Sequence, residues 1–176
     1  MPQKNIKKFI LICLINNNNE YNISFCPKPK YDYKYSRSNK MLADTSIVVM
    51  CGGSGSRLGE LTKNIPKPLV EVHNKPILEW KLEHYSFQNY NNFVLCIGSH
   101  GEKIRKYIHK RYESVHINDS GVEAGILKRL VDVKQHLTEF SIVTYGDTFA
   151  KIDLDSLIKS HMSNQTLATL VVAPII

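Results

Sequence analysis

From residue 45 onward the apolar positions follow two alternating rhythms. Continuous apolar runs, rich in β-branched residues, occur at Ser46 to Cys51 (SIVVMC), Asn92 to Ile97, Ser114 to Ile117, Ser141 to Tyr145 and Thr166 to Val172. Each has the length of a strand, and Ser46 to Cys51 is apolar enough throughout to be buried on both faces. Between them lie stretches whose apolar residues recur three and four apart. These are Pro76 to Phe87 (Leu78, Leu82, Tyr85), Gly101 to Tyr112 (Ile104, Tyr107, Ile108), Glu123 to Leu137 (Ile126, Leu130, Val133, Leu137) and Asp153 to about Met162 (Leu154, Leu157, Ile158, His161). The spacing predicts helices, with Pro76 in a first turn and Asp153 as an N-cap. Strands alternating with helices of this length imply an α/β fold, three layers α/β/α around a mostly parallel, Rossmann-like sheet.

Ligands of such sheets bind beyond the carboxyl ends of the strands, where the strand order reverses. Three segments fall at such ends: the glycine-rich loop after Cys51, the stretch Gly98-Ser99-His100-Gly101, and Gly146-Asp147. The fold predicts that they converge.

Residues 1–40 have a different composition. Asn, Lys, Ile, Tyr and Phe account for 25 of these 40 residues, including the run Asn16 to Asn19. This stretch is expected to be a basic extension, disordered or dispensable, ahead of a domain over 41–176. Three readings stand side by side. It is translated upstream sequence with Met41 as the start; or a secretory signal built on Lys4, Lys7, Lys8 and the apolar Phe9 to Ile15; or a tail whose basic, Tyr-interleaved end, Lys28 to Lys40, touches nucleic acid or lipid. Pro27 and Pro29 argue against regular structure there.

The charge follows the same division. The chain has 176 residues with 23 Lys+Arg and 16 Asp+Glu, a formal net charge of +7. Eight of the basic and two of the acidic side chains lie in residues 1–40, so the remainder is nearly neutral. Nucleic acid is therefore not an expected partner of the body. The run Phe9 to Ile15 falls well short of the roughly 20 residues of a membrane-spanning helix. The four cysteines, Cys13, Cys26, Cys51 and Cys96, have no metal-ligand spacing, and their arrangement fits a reducing, cytoplasmic setting.

The loop after the first strand of the body reads Gly52-Gly53-Ser54-Gly55-Ser56-Arg57-Leu58. Three glycines in four positions let successive N–H groups face one concavity, which suits phosphate. No Gly-Lys-Ser/Thr follows, so it is not a Walker A loop. Leu58 stands where a dinucleotide fingerprint needs its third glycine, which disfavours an oxidoreductase. Arg57 adds a fork for phosphate oxygens. Ten residues on, Pro66 and Pro68 flank Lys67, and the prolines are expected to hold the chain extended and aim the lysine.

The stretch VVMCGGSGSRLGELTKNIPKPLVEVHNKPILEW resembles the signature of the sugar-phosphate nucleotidyltransferases: a strand, G-G-x-G-[ST]-R-L, P-K-P, then a K-P opening a helix. IGSHGEKIRKYI, GILKRL and TYGDTFAKIDLDSLIKSH are similar to the glucose-1-phosphate cytidylyltransferase branch, and the resemblance spans residues 46 to 175. It implies transfer of a nucleotidyl group from an NTP to a sugar 1-phosphate, releasing pyrophosphate. It also implies roles for particular residues. Gly52, Gly53, Ser54, Gly55 and Ser56 would hold the nucleotide, Arg57 the β- and γ-phosphates, and Lys67 the α-phosphate and incoming sugar phosphate. Asp147 would hold Mg2+, and Gly98 to Gly101 would lie near the base. The implied partners are an NTP and a sugar 1-phosphate, with a homo-oligomer left open, in nucleotide-sugar synthesis for surface polysaccharide.

Two departures qualify this. The segment Asp119 to Arg129 is shorter than the branch's, with Ile126 where an arginine is expected, so the base is open. Family members continue past the equivalent of Ile176, and the chain is expected to be incomplete at its C-terminus, with poor turnover. The competing reading is therefore a catalytically incomplete nucleotide-binding fragment or partner subunit. His100 is expected to be a loop residue, Trp80 and Tyr85 core, and Lys128 and Arg129 either a solvated helix face or part of the site.

Overall fold

The computed structural model describes residues 8–12, 44–53, 55–150, 152–164 and 167–172; for 8–12, 56 and 57 it describes the main chain alone. Six strands form one sheet: β1 (Lys8–Ile12), β2 (Ser46–Met50), β5 (Asn92–Ile97), β6 (His116–Asp119), β7 (Phe140–Tyr145) and β8 (Ala168–Val171). A two-stranded antiparallel ribbon, β3 (Glu71–Val72) and β4 (Lys75–Pro76), stands apart from it. The spatial order in the main sheet is β6-β5-β2-β7-β1-β8, and every neighbouring pair is parallel. The helices are α1 (Ile77–Phe87), α2 (Gly101–His109), α3 (Ile126–Asp132) and α4 (Leu154–Ser163). From β2 the chain moves outward through β5 to β6. It then returns to β7 on the other flank of β2, which makes β2 the point where the order reverses.

Alternation along β2 divides the core in two. Ile47, Val49 and Cys51 face Leu78, Leu82 and Tyr85 of α1, Ile104 and Ile108 of α2, and Leu154 and Ile158 of α4, all buried. Val48 and Met50 face the other layer, with Val94, Cys96, Val143, Val133 and Leu137. Full burial of an Ile or Leu side chain contributes about 1.5–3 kcal/mol, so these two layers hold the strand ends in place. Asp153 caps α4: its carboxylate accepts from the Ser156 N–H at 3.1 Å and the Ser156 hydroxyl at 2.8 Å. Tyr90 ties the end of α1 to α4 by donating to Asp155 at 2.6 Å. As the sequence predicted, the architecture is three-layer α/β/α.

Some expected elements are corrected. The third strand of the body starts at His116, two residues later than Ser114. The helix expected over 123–137 shrinks to Ile126–Asp132, followed by a 3-10 turn at Lys134–His136. Gly125 is extended there (φ −73°, ψ 171°), and the Ala124 carbonyl turns back to accept from Arg129 Nε instead of entering the helix. Ile126 is 42% exposed, whereas Arg129 is 4% exposed, so the stripe read as apolar buries an arginine in its place.

Within residues 1–40, Lys8–Ile12 forms the strand β1. That segment pairs with β7 on one side and β8 on the other. A proline-free run of KFILI suits a position where both neighbours offer main-chain partners. The remaining calls on the extension, including Pro27, Pro29, Cys13, Cys26, the Lys28 to Lys40 tail and Met41, lie outside the described residues. Among the described residues no helix is long and apolar enough to cross a membrane.

Candidate functional site

The three strand ends meet as the fold predicted. Cys51 N–H donates to Cys96 O at 2.8 Å, Ser99 N–H to Gly52 O at 3.4 Å, and Gly146 N–H to Met50 O at 2.9 Å. The ends of β2, β5 and β7 are thereby fixed side by side, with the glycine-rich loop rising from the middle one.

That loop turns at Gly55, which has φ +69° and suits glycine. The Thr62 hydroxyl donates to Gly55 O at 2.8 Å and closes the turn from the far side of the 3-10 segment Ser56–Thr62. Gly53 is open, since a Cβ there would meet nothing within 4 Å. Gly52 and Gly98 lie against the guanidinium of Arg129. Ser54 is outside the described residues, and so are the side chains of Ser56 and Arg57; the Arg57 main chain lies in the first turn after the loop. Gly101 N–H donates to Gly98 O at 2.9 Å. Gly101 opens α2, and a Cβ there would meet Ile97 Cδ1 at 2.9 Å. His100 precedes it in the left-handed region, exposed, as a loop residue should be.

The Pro-Lys-Pro segment is extended only at Pro66 (φ −63°, ψ 140°); Lys67–Leu69 is a 3-10 turn, which corrects the fully extended form expected. The lysine is aimed nonetheless. Lys67 Nζ lies 2.5 Å from Asp147 Oδ2, with both side chains largely covered (14% and 22% exposed). Gly146 makes this approach available: a Cβ there would meet Cys51 Sγ at 2.9 Å and Pro68 Cγ at 3.0 Å. Two residues eighty positions apart are so brought together beside the glycine loop.

A buried lysine lies beneath them. Lys81 of α1 is 3% exposed; its ammonium donates to Thr144 Oγ1 at 3.0 Å and lies 5.4 Å and 5.6 Å from the Phe149 and Tyr85 rings. Burial pulls it down to about 8, against smaller upward pulls from Cys51 and Asp147. Burial pushes the Cys51 thiol far up, and Cys96 up to about 12, so neither is a nucleophile at neutral pH. Lys81 and Arg129 are the buried charges that pattern reading missed or left undecided. Lys81 sits on the inward stripe of α1 between Leu78 and Tyr85, and Arg129 takes the buried position on α3 ahead of Val133. A charge on an apolar stripe was the available signal.

The Asp147 carboxylate supplies the hard oxygen that Mg2+ prefers, and a single carboxylate suits an ion shared with phosphate oxygens and water. Among the described residues no three His, Cys, Asp or Glu converge on a site. A Mg2+ here therefore fits as an ion brought with an anionic ligand, not one caged by protein.

The doubly wound sheet thus carries a glycine loop at its switch point and a lysine–aspartate pair beside it. The chain belongs to the Nucleotidyl transferase family, whose profile matches residues 46–175. It is 32% identical over 146 residues to a probable glucose-1-phosphate cytidylyltransferase of Bacillus subtilis, covering 69% of this chain and 58% of the relative. It is 32% identical over 150 residues to the glucose-1-phosphate cytidylyltransferase of Salmonella typhimurium, covering 70% and 58%. A D-glycero-alpha-D-manno-heptose 1-phosphate guanylyltransferase of Campylobacter jejuni matches at 32% over 116 residues, covering 62% and 51%. The chain thus spans somewhat more than half the length of these relatives. Among solved structures, HddC from Yersinia pseudotuberculosis complexed with GMP-PN shares the fold, with TM-score 0.58, 24% identity, and 67% and 54% of the two chains covered.

Proposed function

We propose that this chain binds a nucleoside triphosphate at the loop Gly52 to Ser56 and transfers its nucleotidyl group to a sugar 1-phosphate, releasing pyrophosphate. The observation that carries the reading is the Lys67–Asp147 pair, 2.5 Å apart at the end of β7 beside the glycine loop. Both reactants are polyanions, so the protein's task is charge neutralisation and alignment, with no protein nucleophile. Lys67 exchanges its carboxylate partner for the α-phosphate and the incoming phosphate. Arg57 takes the β- and γ-phosphates and steadies the departing pyrophosphate. Asp147 holds Mg2+, which when bound supplies a Lewis acid for the phosphoryl oxygens. The Gly52, Gly53 and Gly55 main chain, with Ser54 and Ser56, lines the phosphate path, and Gly98 lies toward the base. The setting is cytoplasmic nucleotide-sugar synthesis. Both cytidylyl and guanylyl transferases stand among the relatives, which supports a nucleotide without choosing its base.

A second reading, nucleotide binding with little turnover, is favoured by the chain spanning 58% of the cytidylyltransferases it matches. One experiment separates the two. Pyrophosphate release is followed with CTP, GTP, UTP and dTTP against glucose, mannose and heptose 1-phosphates in Mg2+, beside direct NTP binding. Release that falls a hundredfold or more in Lys67→Ala and Asp147→Asn is expected for transfer. NTP binding without release favours the second reading, and no NTP binding at all overturns both.

A further inference from the structure

Arg129, in the middle of α3, is 4% exposed and spends its donors on main-chain carbonyls alone. Nε donates to Ala124 O at 3.0 Å, Nη2 to Gly121 O at 2.8 Å and to Gly52 O at 3.4 Å, and Nη1 to Ile97 O. These four acceptors come from the end of β2, the end of β5, the loop after β6 and the turn before α3. Among the described residues no carboxylate lies within ion-pair distance of it.

The neighbouring glycines belong to the same unit. A Cβ at Gly52 would lie 2.2 Å from Arg129 Cζ, and one at Gly98 would lie 2.7 Å from Nη2. Neither glycine has a positive φ, so backbone conformation does not demand them. The guanidinium does, because it lies flat against both strand ends. Its charge also meets an electrostatic need. The carbonyls at these strand ends turn their negative dipole ends toward the mouth, Gly52 O accepting from Ser99 N–H as well as from Arg129. A guanidinium fork among them cancels that field where a polyanion would enter.

We propose that Arg129 is the positioning residue of the nucleotide pocket: it ties the ends of β2 and β5 and the loop 119–125 into one rim, and holds the Gly52 and Gly98 main chain in place for an anionic ligand. The ligand half of this rests on the function proposed above; the clamp half does not. Lys128, the neighbour in sequence, is 61% exposed along its side chain and pairs with Asp132 on the outer face, so it serves as a charge-loss control.

The test uses Arg129→Ala, Arg129→Lys and Lys128→Met of the full chain, with hydrogen exchange read by peptide and binding of Mg-CTP and Mg-GTP measured at fixed ionic strength. In Arg129→Ala, exchange over 51–56, 96–101 and 119–127 is expected to rise tenfold or more. NTP affinity should fall at least tenfold, and guanidinium at low millimolar concentration should restore both by entering the space among the carbonyls. Arg129→Lys, which keeps the charge without the fork, should stay folded and still show faster exchange and weaker binding. Should Arg129→Ala fail to fold, this lysine variant decides. Wild-type exchange over the three segments in Arg129→Lys overturns the clamp, and so does an effect confined to α3. Faster exchange with unchanged NTP affinity overturns the positioning role. A wild-type chain that binds no NTP overturns the functional reading instead, and the exchange data then judge the clamp alone.

Discussion

Lys81→Met removes a charge that the fold buries at a cost, and the size of that cost follows from the structure. Burial lowers the lysine from 10.5 to about 8. Such a lowering corresponds to about 3 kcal/mol of destabilisation while the ammonium is protonated in both states. The sign follows from linkage. Between pH 8 and 10.5 the unfolded chain holds a proton that the folded chain has shed, so the contribution to stability rises with pH across that window. At pH 7 the folded state bears the whole cost; at pH 9.5 it bears about 1 kcal/mol. Methionine has a similar shape, carries no charge and gives up the hydrogen bond to Thr144, worth about 1 kcal/mol, with the ammonium's longer contacts to the Phe149 and Tyr85 rings. The variant should therefore exceed the wild type by about 2 kcal/mol at pH 7 and nearly match it at pH 9.5. Urea melts of both proteins at the two pH values, read by fluorescence of Trp80, measure the gap directly. A gap that stays constant to within about 0.5 kcal/mol across the range would refute the buried-ammonium argument.

Other outcomes follow from single contacts. Burial first, and then His136 stacked on it with ring centroids 3.3 Å apart, lower His116 below its ordinary value. The unfolded chain takes up that proton first as pH falls, so the melting temperature should drop below about pH 6.5 and drop less in His116→Gln. Asp153→Ala removes the α4 cap and should cost about 1 kcal/mol in denaturant melts; no change would mean that the Ser156 contacts carry no stability. Gly146→Ala puts a methyl against Cys51 and Pro68. It should displace Asp147 from Lys67 and weaken Mg-NTP binding tenfold or more by calorimetry, whereas wild-type affinity would detach that pair from the ligand.

The layer order was legible because each core strand is a short uninterrupted apolar run and each long helix has a stripe that the structure buries. Leu78, Leu82 and Tyr85 lie inward on α1, and Ile104 and Ile108 on α2, as the spacing required. The convergence of Gly52, Gly98 and Asp147 was legible for the same reason, since parallel strands place all such ends on one side. α3 was misjudged because periodicity ranks residues by apolarity alone. Arg129 is buried for its hydrogen bonds, and Ile126 is left outside. β1 was not legible, because low-complexity sequence surrounds a run of five residues whose partners lie far along the chain. Arg129 does carry a local sign, a charge on an apolar stripe, but the Ile97 and Gly52 carbonyls that complete its site come from distant segments.

The place of β1 in the sheet also orders events in time. Lys8 pairs with Phe140, and Phe9 with Ala168, so β1 is synthesised well before either of its neighbours. At translation rates of 5–20 residues per second, roughly 7–26 s pass before the β7 partner exists at all. β2 and β5 can pair early through the short α1 crossover, but the half of the sheet beyond β7 closes only through very distant contacts, which slow folding. Through that interval KFILI is an apolar strand with both edges unpaired, and the sheet it will complete has an open side.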